Sequence, residues 1–392
     1  MKALWKDWWQ DLKAYPALGN RLLGVPSEEG AADYSIAELK NLRGRFVSPL
    51  HPPRMKLVID EIIIETVTTR TLRMVRKDGP IPPFRAGQYV NLFVEIDGVL
   101  TSRPYSISSR PGLPYIDLTV RRTAGGFVSE FLVRKTEVGD VFESTGPRGN
   151  FRYEPLIDGE ELVFIAGGSG ITPIMSMLRD GAAREWPYRV RLLYGNRSTE
   201  DVIFRKELNR LAHGHRNLHV DYVISEPPNG YGGKTGFMDR KLLQRSLRNP
   251  DERRYFICGP TRMYDLVHES LLELGVEEYR VRRELYGPPE EISADPAWPH
   301  SLQPDAMSRI EVAGKGVFEA PAGEPLLNSL ERHGHVVPAM CRAGECSACR
   351  MRLLRGRVLI PQHTGIRDAD RWNGFIHACT AYPVEDVVVK LP

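Results

Sequence analysis

Cys341-Arg342-Ala343-Gly344-Glu345-Cys346-Ser347-Ala348-Cys349, answered by Cys379 near the end of the chain, sets a spacing of C-x4-C-x2-C-x29-C. One loop carrying three thiolates, with a fourth arriving from a distant strand, can ligate two bridged irons, and this is one of the spacings that holds a [2Fe–2S] cluster. The small residues Ala343, Gly344, Ser347 and Ala348 let the loop turn its backbone N–H groups toward the sulfurs, which stabilises an added electron. A structural zinc site is the competing reading. Such sites usually come as two C-x2-C knuckles, and only Cys346 and Cys349 form such a pair. The chain has 5 cysteines, an odd number with four of them clustered, which points to metal or redox chemistry rather than to disulfides.

Around this loop the run from Leu326-Leu327 through Gly334 and Pro338 to Ala378-Cys379-Thr380 and Pro383 resembles the plant-type ferredoxins. The resemblance covers residues 306–392 and implies a β-grasp α+β domain, with Cys341, Cys346, Cys349 and Cys379 as metal ligands. One departure stands out. Residues 306–392 hold 11 Lys/Arg and 9 Asp/Glu, a net charge of +2, whereas free ferredoxins of this type are strongly acidic. Arg342 and Arg350 adjoin the ligands. The acidic docking face of a diffusing carrier is missing, as suits a domain supplied with electrons from within its own chain.

Upstream, the pattern from Met55 to Tyr153 is β. Leu57–Glu65, Tyr89–Glu95 and Tyr115–Arg121 are separated by turn material such as Lys77-Asp78-Gly79-Pro80 and Asp97-Gly98, which predicts an antiparallel barrel, interrupted by a helix over 128–135. Within it Arg103-Pro104-Tyr105-Ser106 places a cation and an aromatic ring on one face of a strand and a small polar residue on the other. Leu118-Thr119-Val120-Arg121-Arg122 is followed by Gly125-Gly126-Phe127-Val128-Ser129 at a helix start, where free backbone N–H groups attract phosphate.

From Glu160 the pattern alternates strand and helix, with strands at 162–166, 190–194, 219–224 and 255–257, which predicts a doubly wound parallel sheet. The first strand runs into Gly167-Gly168-Ser169-Gly170-Ile171-Thr172-Pro173. This is not the G-x-G-x-x-G fingerprint, but its glycines permit the same close approach to a diphosphate. Tyr194-Gly195-Asn196-Arg197 ends the next strand, Cys258-Gly259-Pro260 ends a later one, and Glu284-Leu285-Tyr286 closes the segment. Read alone, Cys258 is a small buried strand residue.

In this order the motifs resemble the ferredoxin–NADP⁺ reductase family, over residues 55–392 once the ferredoxin-like end is included. The resemblance implies that Tyr105 lies on the isoalloxazine, Arg103 on the pyrophosphate and Ser106 near the reactive flavin nitrogen. Val120, Arg121, Gly125, Gly126, Phe127, Val128 and Ser129 would line the rest of the flavin site. FAD is favoured over FMN because both the Arg-x-Tyr-Ser strand and the Gly-x-x-Ser helix start are present. Gly167, Gly168, Gly170, Thr172, Gly259 and Pro260 would hold the nicotinamide nucleotide. Cys258 would shape the hydride-transfer pocket without a covalent role, and Glu284 and Tyr286 would lie near the flavin. Arg197 suits either the extra phosphate of NADPH or the ribose of NADH. The implied path runs from NAD(P)H to the flavin as hydride, then as single electrons through the cluster to a partner metalloprotein. That partner is expected to be an oxygenase, hydroxylase, demethylase or desaturase; a hybrid-cluster protein, another non-oxygenase acceptor or a redox-sensing role are the alternatives.

Composition agrees with a multidomain enzyme. The 392 residues suit two to four domains at roughly 150 each. The hydrophobic content of 42% and charged content of 26% are those of a globular chain, and a net charge of +3 argues against a nucleic-acid partner. No apolar run suggests a membrane span or a signal peptide, so a cytoplasmic monomer is expected. Leu4, Trp5, Trp8 and Leu12 form a helix-like stripe, which suits packing on the protein's own body, a partner or a membrane surface. The expected layout is an N-terminal extension over 1–53, the flavin barrel over 54–155 and the nicotinamide domain over 156–287. A proline-rich, semi-extended linker over 288–305 then leads to the ferredoxin domain over 306–392.

Overall fold

A computed structural model describes residues 54–392 except positions 187, 290, 362 and 363. The tryptophan stripe expected as an N-terminal helix lies outside the described residues.

The first sheet consists of β1 (Met55–Thr66), β2 (Thr69–Arg76), β3 (Tyr89–Ile96), β4 (Val99–Ser106), β5 (Tyr115–Arg121) and β6 (Val141–Ser144). Its order is β4-β3-β6-β1-β2-β5, and every pairing in it is antiparallel. A further bridge from Ile107 to Leu118 ties the two edges together, so the sheet curls into the expected barrel. Alternation drives the curl: Met55, Leu57 and Ile59 are buried along β1 while their neighbours are not. Between β3 and β4 the turn residues Asp97 and Gly98 both have positive φ, 50° and 77°, the two-residue geometry that matches strand twist. Helix α1 (Phe127–Arg134) packs Val128, Leu132 and Val133 into the barrel core.

After a short helix α2 (Pro155–Asp158), the second sheet comprises β7 (Glu161–Gly167), β8 (Arg189–Asn196), β9 (Leu218–Ile224), β10 (Lys234–Thr235), β11 (Arg254–Cys258) and β12 (Val281–Glu284). Its order is β10-β9-β8-β7-β11-β12, all parallel. Helices α3 (Ile171–Ala183), α4 (Arg205–Gly214), α5 (Arg240–Ser246) and α6 (Thr261–Glu273) lie between the strands in sequence. Their apolar faces build two cores against the sheet. The strand order reverses between β7 and β11, and the carboxyl ends of those strands flank the crevice where ligands bind in open α/β sheets.

The last sheet, ordered β14-β13-β19-β15-β17, is formed by β13 (Met307–Val312), β14 (Gly316–Pro321), β15 (Arg350–Arg355), β17 (Phe375–His377) and β19 (Val387–Lys390), with a small pair, β16 (Val358–Leu359) and β18 (Tyr382–Pro383), beside it. β13 and β19 run parallel while the other pairings are antiparallel. Helix α7 (Leu326–Arg332) buries Leu326, Leu327 and Leu330 on this sheet, and a short α8 (Asp368–Trp372) precedes β17. A mixed sheet crossed by one main helix is the expected β-grasp arrangement. The proline-rich bridge differs from a semi-extended linker. Ile292 and Trp298 are buried with Ala322, Leu359 and Tyr382, and the Trp298 indole N–H donates to the Leu302 carbonyl at 2.9 Å. The described part of this segment forms one 3₁₀ turn, Ile292–Ala294, and no strand, and its two large apolar side chains anchor it.

Candidate functional site

The carboxyl ends of β4, β7, β11 and β12 bring one polar constellation together. Ser106 Oγ lies 2.6 Å from Tyr286 Oη and donates to Glu284 Oε2 at 3.2 Å. Tyr286 Oη also lies 3.2 Å from Glu284 Oε2 and 3.4 Å from Thr172 Oγ1. In-register pairing sets Cys258 beside Glu284 on one side and Ala166 on the other. Burial pushes the Glu284 carboxyl up to about 8, against a weaker downward pull from the Ser106 and Tyr286 hydroxyls. Glu284 therefore keeps its proton at neutral pH. Burial likewise raises the Cys258 thiol, followed by the nearby Glu284 charge, so Cys258 is a neutral wall of the pocket rather than a nucleophile.

The glycine turn fits against this wall with no room for a side chain. A Cβ on Gly170 would stand 2.1 Å from the Cys258 carbonyl oxygen. Tyr194 donates its hydroxyl to the Gly168 carbonyl at 2.9 Å, which pins the turn from the neighbouring strand. Gly167, Gly168, Arg197 and Pro260 line a cavity of about 510 Å³ together with Arg121, Phe237, Met238 and Met263, a volume suited to a nucleotide. Arg197 stands exposed at its rim, its Nε donating to Glu226 Oε2 at 2.9 Å. Gly170, Thr172 and Cys258 lie instead on the Tyr286 side of the turn, and Gly259 backs onto Gly167.

A second cavity of about 580 Å³ is lined by Arg103, Tyr105, Arg121 and the helix start Gly125–Ser129, with Tyr286 at one side. The segment 125–129 opens α1 as expected: Gly126 is its N-cap, and Ser129 Oγ accepts from the Thr123 N–H at 3.1 Å. The in/out alternation of β5 turns the Val120 side chain into the barrel core. Arg121 lines both cavities. The far wall comes from the ferredoxin-like domain, through Asn328, Glu331, Arg342 and Cys379. Burial, then repulsion from Arg342, lowers the Arg103 guanidinium to about 10, so it stays cationic. A cavity of this size, with an aromatic ring, arginines and an open helix start, has the donor set that a flavin nucleotide requires.

The cysteine loop takes the shape its small residues permit. Cys341 Sγ accepts from the backbone N–H groups of Ala343, Glu345 and Cys346, each at 3.4 Å. Hydrogen bonds from the Cys346 and Cys379 thiols, reinforced by that backbone, hold the Cys341 sulfur well toward thiolate. The Cys379 thiol does the same for Cys349. The contacts thus form a chain, Cys346–Cys341–Cys379–Cys349. Among the described residues no three such side chains converge as the ligands of a single ion would. The buried His377 donates its Nδ1–H to the Gly344 carbonyl at 2.7 Å. Gly344 itself sits at φ 78° with Thr364 and Thr380 where a side chain would go. Four thiols strung around a loop with inward N–H groups fit an iron–sulfur cluster.

Motif reading missed the residues contributed across domains, Thr101, Glu331 and the inward role of Arg342. Thr101 Oγ1 donates to Glu331 Oε2 at 2.8 Å and accepts from Arg342 Nη2 at 3.0 Å. Glu226 beside Arg197 and the exposed Phe237 were missed as well, though both lie in loops after strands, where binding residues concentrate.

Comparison with known proteins agrees with this geometry. Residues 55–153 match the oxidoreductase FAD-binding domain, 164–269 the oxidoreductase NAD-binding domain and 310–384 the 2Fe-2S iron-sulfur cluster binding domain. The chain is 31% identical over 349 residues to the glycine betaine monooxygenase reductase subunit of Pseudomonas aeruginosa, covering 84% of this chain and 93% of that one. It is 31% identical over 335 residues to the NADH oxidoreductase HCR of Escherichia coli, covering 85% and 97%. Its fold matches the solved phthalate dioxygenase reductase with a TM-score of 0.65 at 22% identity, over 86% of this chain and 98% of that one. The chain belongs to the family of flavin-dependent reductases that join FAD-binding, NAD-binding and [2Fe–2S] ferredoxin domains. It is an NAD(P)H-dependent oxidoreductase with FAD and a [2Fe–2S] cluster as cofactors and a reduced nicotinamide nucleotide as substrate. No helix among the described residues is long and apolar enough to cross a membrane.

Proposed function

We propose that this chain is the reductase component of a non-haem iron oxygenase, hydroxylase, demethylase or desaturase, carrying electrons from NADH through FAD and the cluster to that partner. One observation carries the reading: a single cavity is lined by Tyr105 and the helix start at Gly126 on the barrel side and by the cluster ligand Cys379 on the other. When bound, FAD supplies the exchange between a hydride donor of two electrons and an acceptor of one. The chain's residues do the positioning. Tyr105 and Tyr286 flank the ring site, while Arg103 and the open N–H groups of Val128 and Ser129 hold phosphate, with Gly126 tied back to the Thr123 carbonyl at 2.9 Å. Ser106, Glu284 and Cys258 wall the place where the nicotinamide meets the flavin, and protonated Glu284 keeps a negative charge away from it. Gly167, Gly168, Gly170, Thr172 and Pro260 hold the nicotinamide nucleotide, and the four cysteines hold the cluster. Within this reading residues 54–155 carry the flavin, 156–287 the nicotinamide nucleotide and 306–392 the cluster. The protein acts as a cytoplasmic monomer, which size-exclusion chromatography and cell fractionation check.

The test is Cys346→Ser. NADH should still bleach the flavin and reduce ferricyanide at the wild-type rate, while reduction of cytochrome c and turnover of a captured oxygenase collapse. Retained turnover of the oxygenase would sink the proposed path. A partner that is captured and reduced but does not consume O₂ would replace the oxygenase by another acceptor.

A further inference from the structure

Arg342 lies between the ligand Cys341 and Ala343, in a left-handed backbone conformation at φ 55°. Read along the chain it is a surface cation beside the cluster. In the fold it is 4% exposed and faces the barrel. Its Nη1 donates to Asn328 Oδ1 at 3.1 Å, and its Nη2 donates to Thr101 Oγ1 at 3.0 Å and to Glu331 Oε1. A guanidinium presents five N–H donors, so these three bonds leave two free, and its Nε is buried with no partner. Arg103 Nη1 stands 3.9 Å from Glu331 Oε2, the other oxygen of the same carboxylate. Two largely buried arginines thus share one acid. The nearby Arg332 adds nothing to this excess, because Glu324 binds both of its terminal nitrogens. A buried cation without a matching anion is costly, and Arg103 and Arg342 both line the cavity of about 580 Å³ that the helix start at Gly126 also enters.

We propose that Arg342 is a flavin-phosphate ligand contributed by the ferredoxin domain, which makes the cluster loop part of the FAD site. This rests on the flavin site described above and adds a residue from outside the barrel. The missing anion is the phosphate of the nucleotide, whose charge balances the two arginines. A purely structural strut explains the Glu331 and Thr101 bonds, but it leaves the buried Arg342 Nε–H without an acceptor. Because Arg342 adjoins Cys341, flavin occupancy and the conformation of the cluster loop are coupled, and the coupling acts equally in both directions.

The experiment uses the full chain, stripped of flavin with its cluster retained, and titrates FAD and riboflavin by fluorescence quenching. Arg342→Gln should weaken FAD binding about ten- to hundredfold, the loss of a charge-assisted bond, and leave riboflavin, which has no phosphate, within about twofold. Arg342→Lys should recover part of the FAD affinity. Glu331→Gln removes the competing acid and leaves the loop sequence intact, so FAD should bind as tightly as in the wild type or more tightly. The proposal is overturned if FAD and riboflavin weaken together in Arg342→Gln, or if Glu331→Gln reproduces the loss, since both outcomes describe a strut. Arg103→Ala separates the two levels of the argument. If it weakens FAD while Arg342→Gln does not, only the role of Arg342 fails; if neither weakens FAD, the flavin-site reading fails with it.

Discussion

Replacing Glu284 by glutamine keeps the shape and most of the hydrogen bonds of this buried side chain and removes its titration. Its carboxyl is moved from an ordinary 4.5 up to about 8 because burial penalises the charge. Most molecules therefore carry the proton at pH 7. The consequence for stability has a definite sign. In the unfolded chain Glu284 loses its proton as pH rises through 4.5, while the folded chain retains it until about 8. Between those limits the native state binds more protons, so the Glu284 contribution makes folding progressively less favourable as pH rises, and above 8 the penalty levels off. A shift of this size corresponds to at most roughly 5 kcal/mol across the window. The assay compares wild type with Glu284→Gln by urea unfolding at pH 5.5 and pH 8.5. The difference between the two proteins isolates Glu284 from other titrating groups such as Glu65, whose carboxyl burial also raises. The variant should gain stability relative to wild type at pH 8.5. The same charge governs turnover, because ionised Glu284 sets a negative charge 3.2 Å from both Ser106 Oγ and Tyr286 Oη. NADH-driven flavin bleaching should therefore fall above about pH 8 in the wild type and stay flat in the variant. Parallel pH dependences of both quantities in the two proteins would refute the argument.

Two further predictions concern the nicotinamide side. Gly170→Ala puts a Cβ 2.1 Å from the backbone oxygen of Cys258, and backbone cannot swing aside as a side chain does. The substitution should cost about 1–3 kcal/mol in thermal unfolding and raise the KM for NADH; unchanged values in both would mean the turn is not held against β11. Glu226→Gln frees Arg197, which now spends its charge on that carboxylate at the cavity rim. The ratio of kcat/KM for NADPH to that for NADH should rise severalfold in ferricyanide reduction, and a constant ratio would place the ribose 2′ position elsewhere.

What could be read from the sequence was whatever local spacing determines. The cysteine loop is legible because three ligands and the small residues between them occupy one stretch of backbone whose geometry nothing remote has to supply. The turn at Asp97-Gly98 and the glycines after β7 are legible for the same reason. The burial of the Val120 side chain was not legible, because a motif names a run of residues while strand alternation sends every second side chain to the opposite face. The bridge over 288–305 was read from its prolines, which report what a segment avoids. Its anchoring depends on Ile292 and Trp298 meeting Leu359 and Tyr382, residues of the domain that follows.

Arg342 shows the limit most sharply, and shows why it matters for function. Its neighbours in sequence are cluster ligands, so local reading makes it part of the cluster's surroundings. Its neighbours in space include Thr101, 241 positions away, and no motif joins the two. Electron transfer between flavin and cluster needs their domains held in one fixed relation, and a residue that answers to both cofactors supplies that relation where separate binding sites would not. If Arg342 holds the flavin phosphate, an empty flavin site leaves excess positive charge at the interface between barrel and ferredoxin domain. Filling it removes the repulsion between Arg103 and Arg342. The interface is then most stable when the flavin needed to supply the cluster is in place.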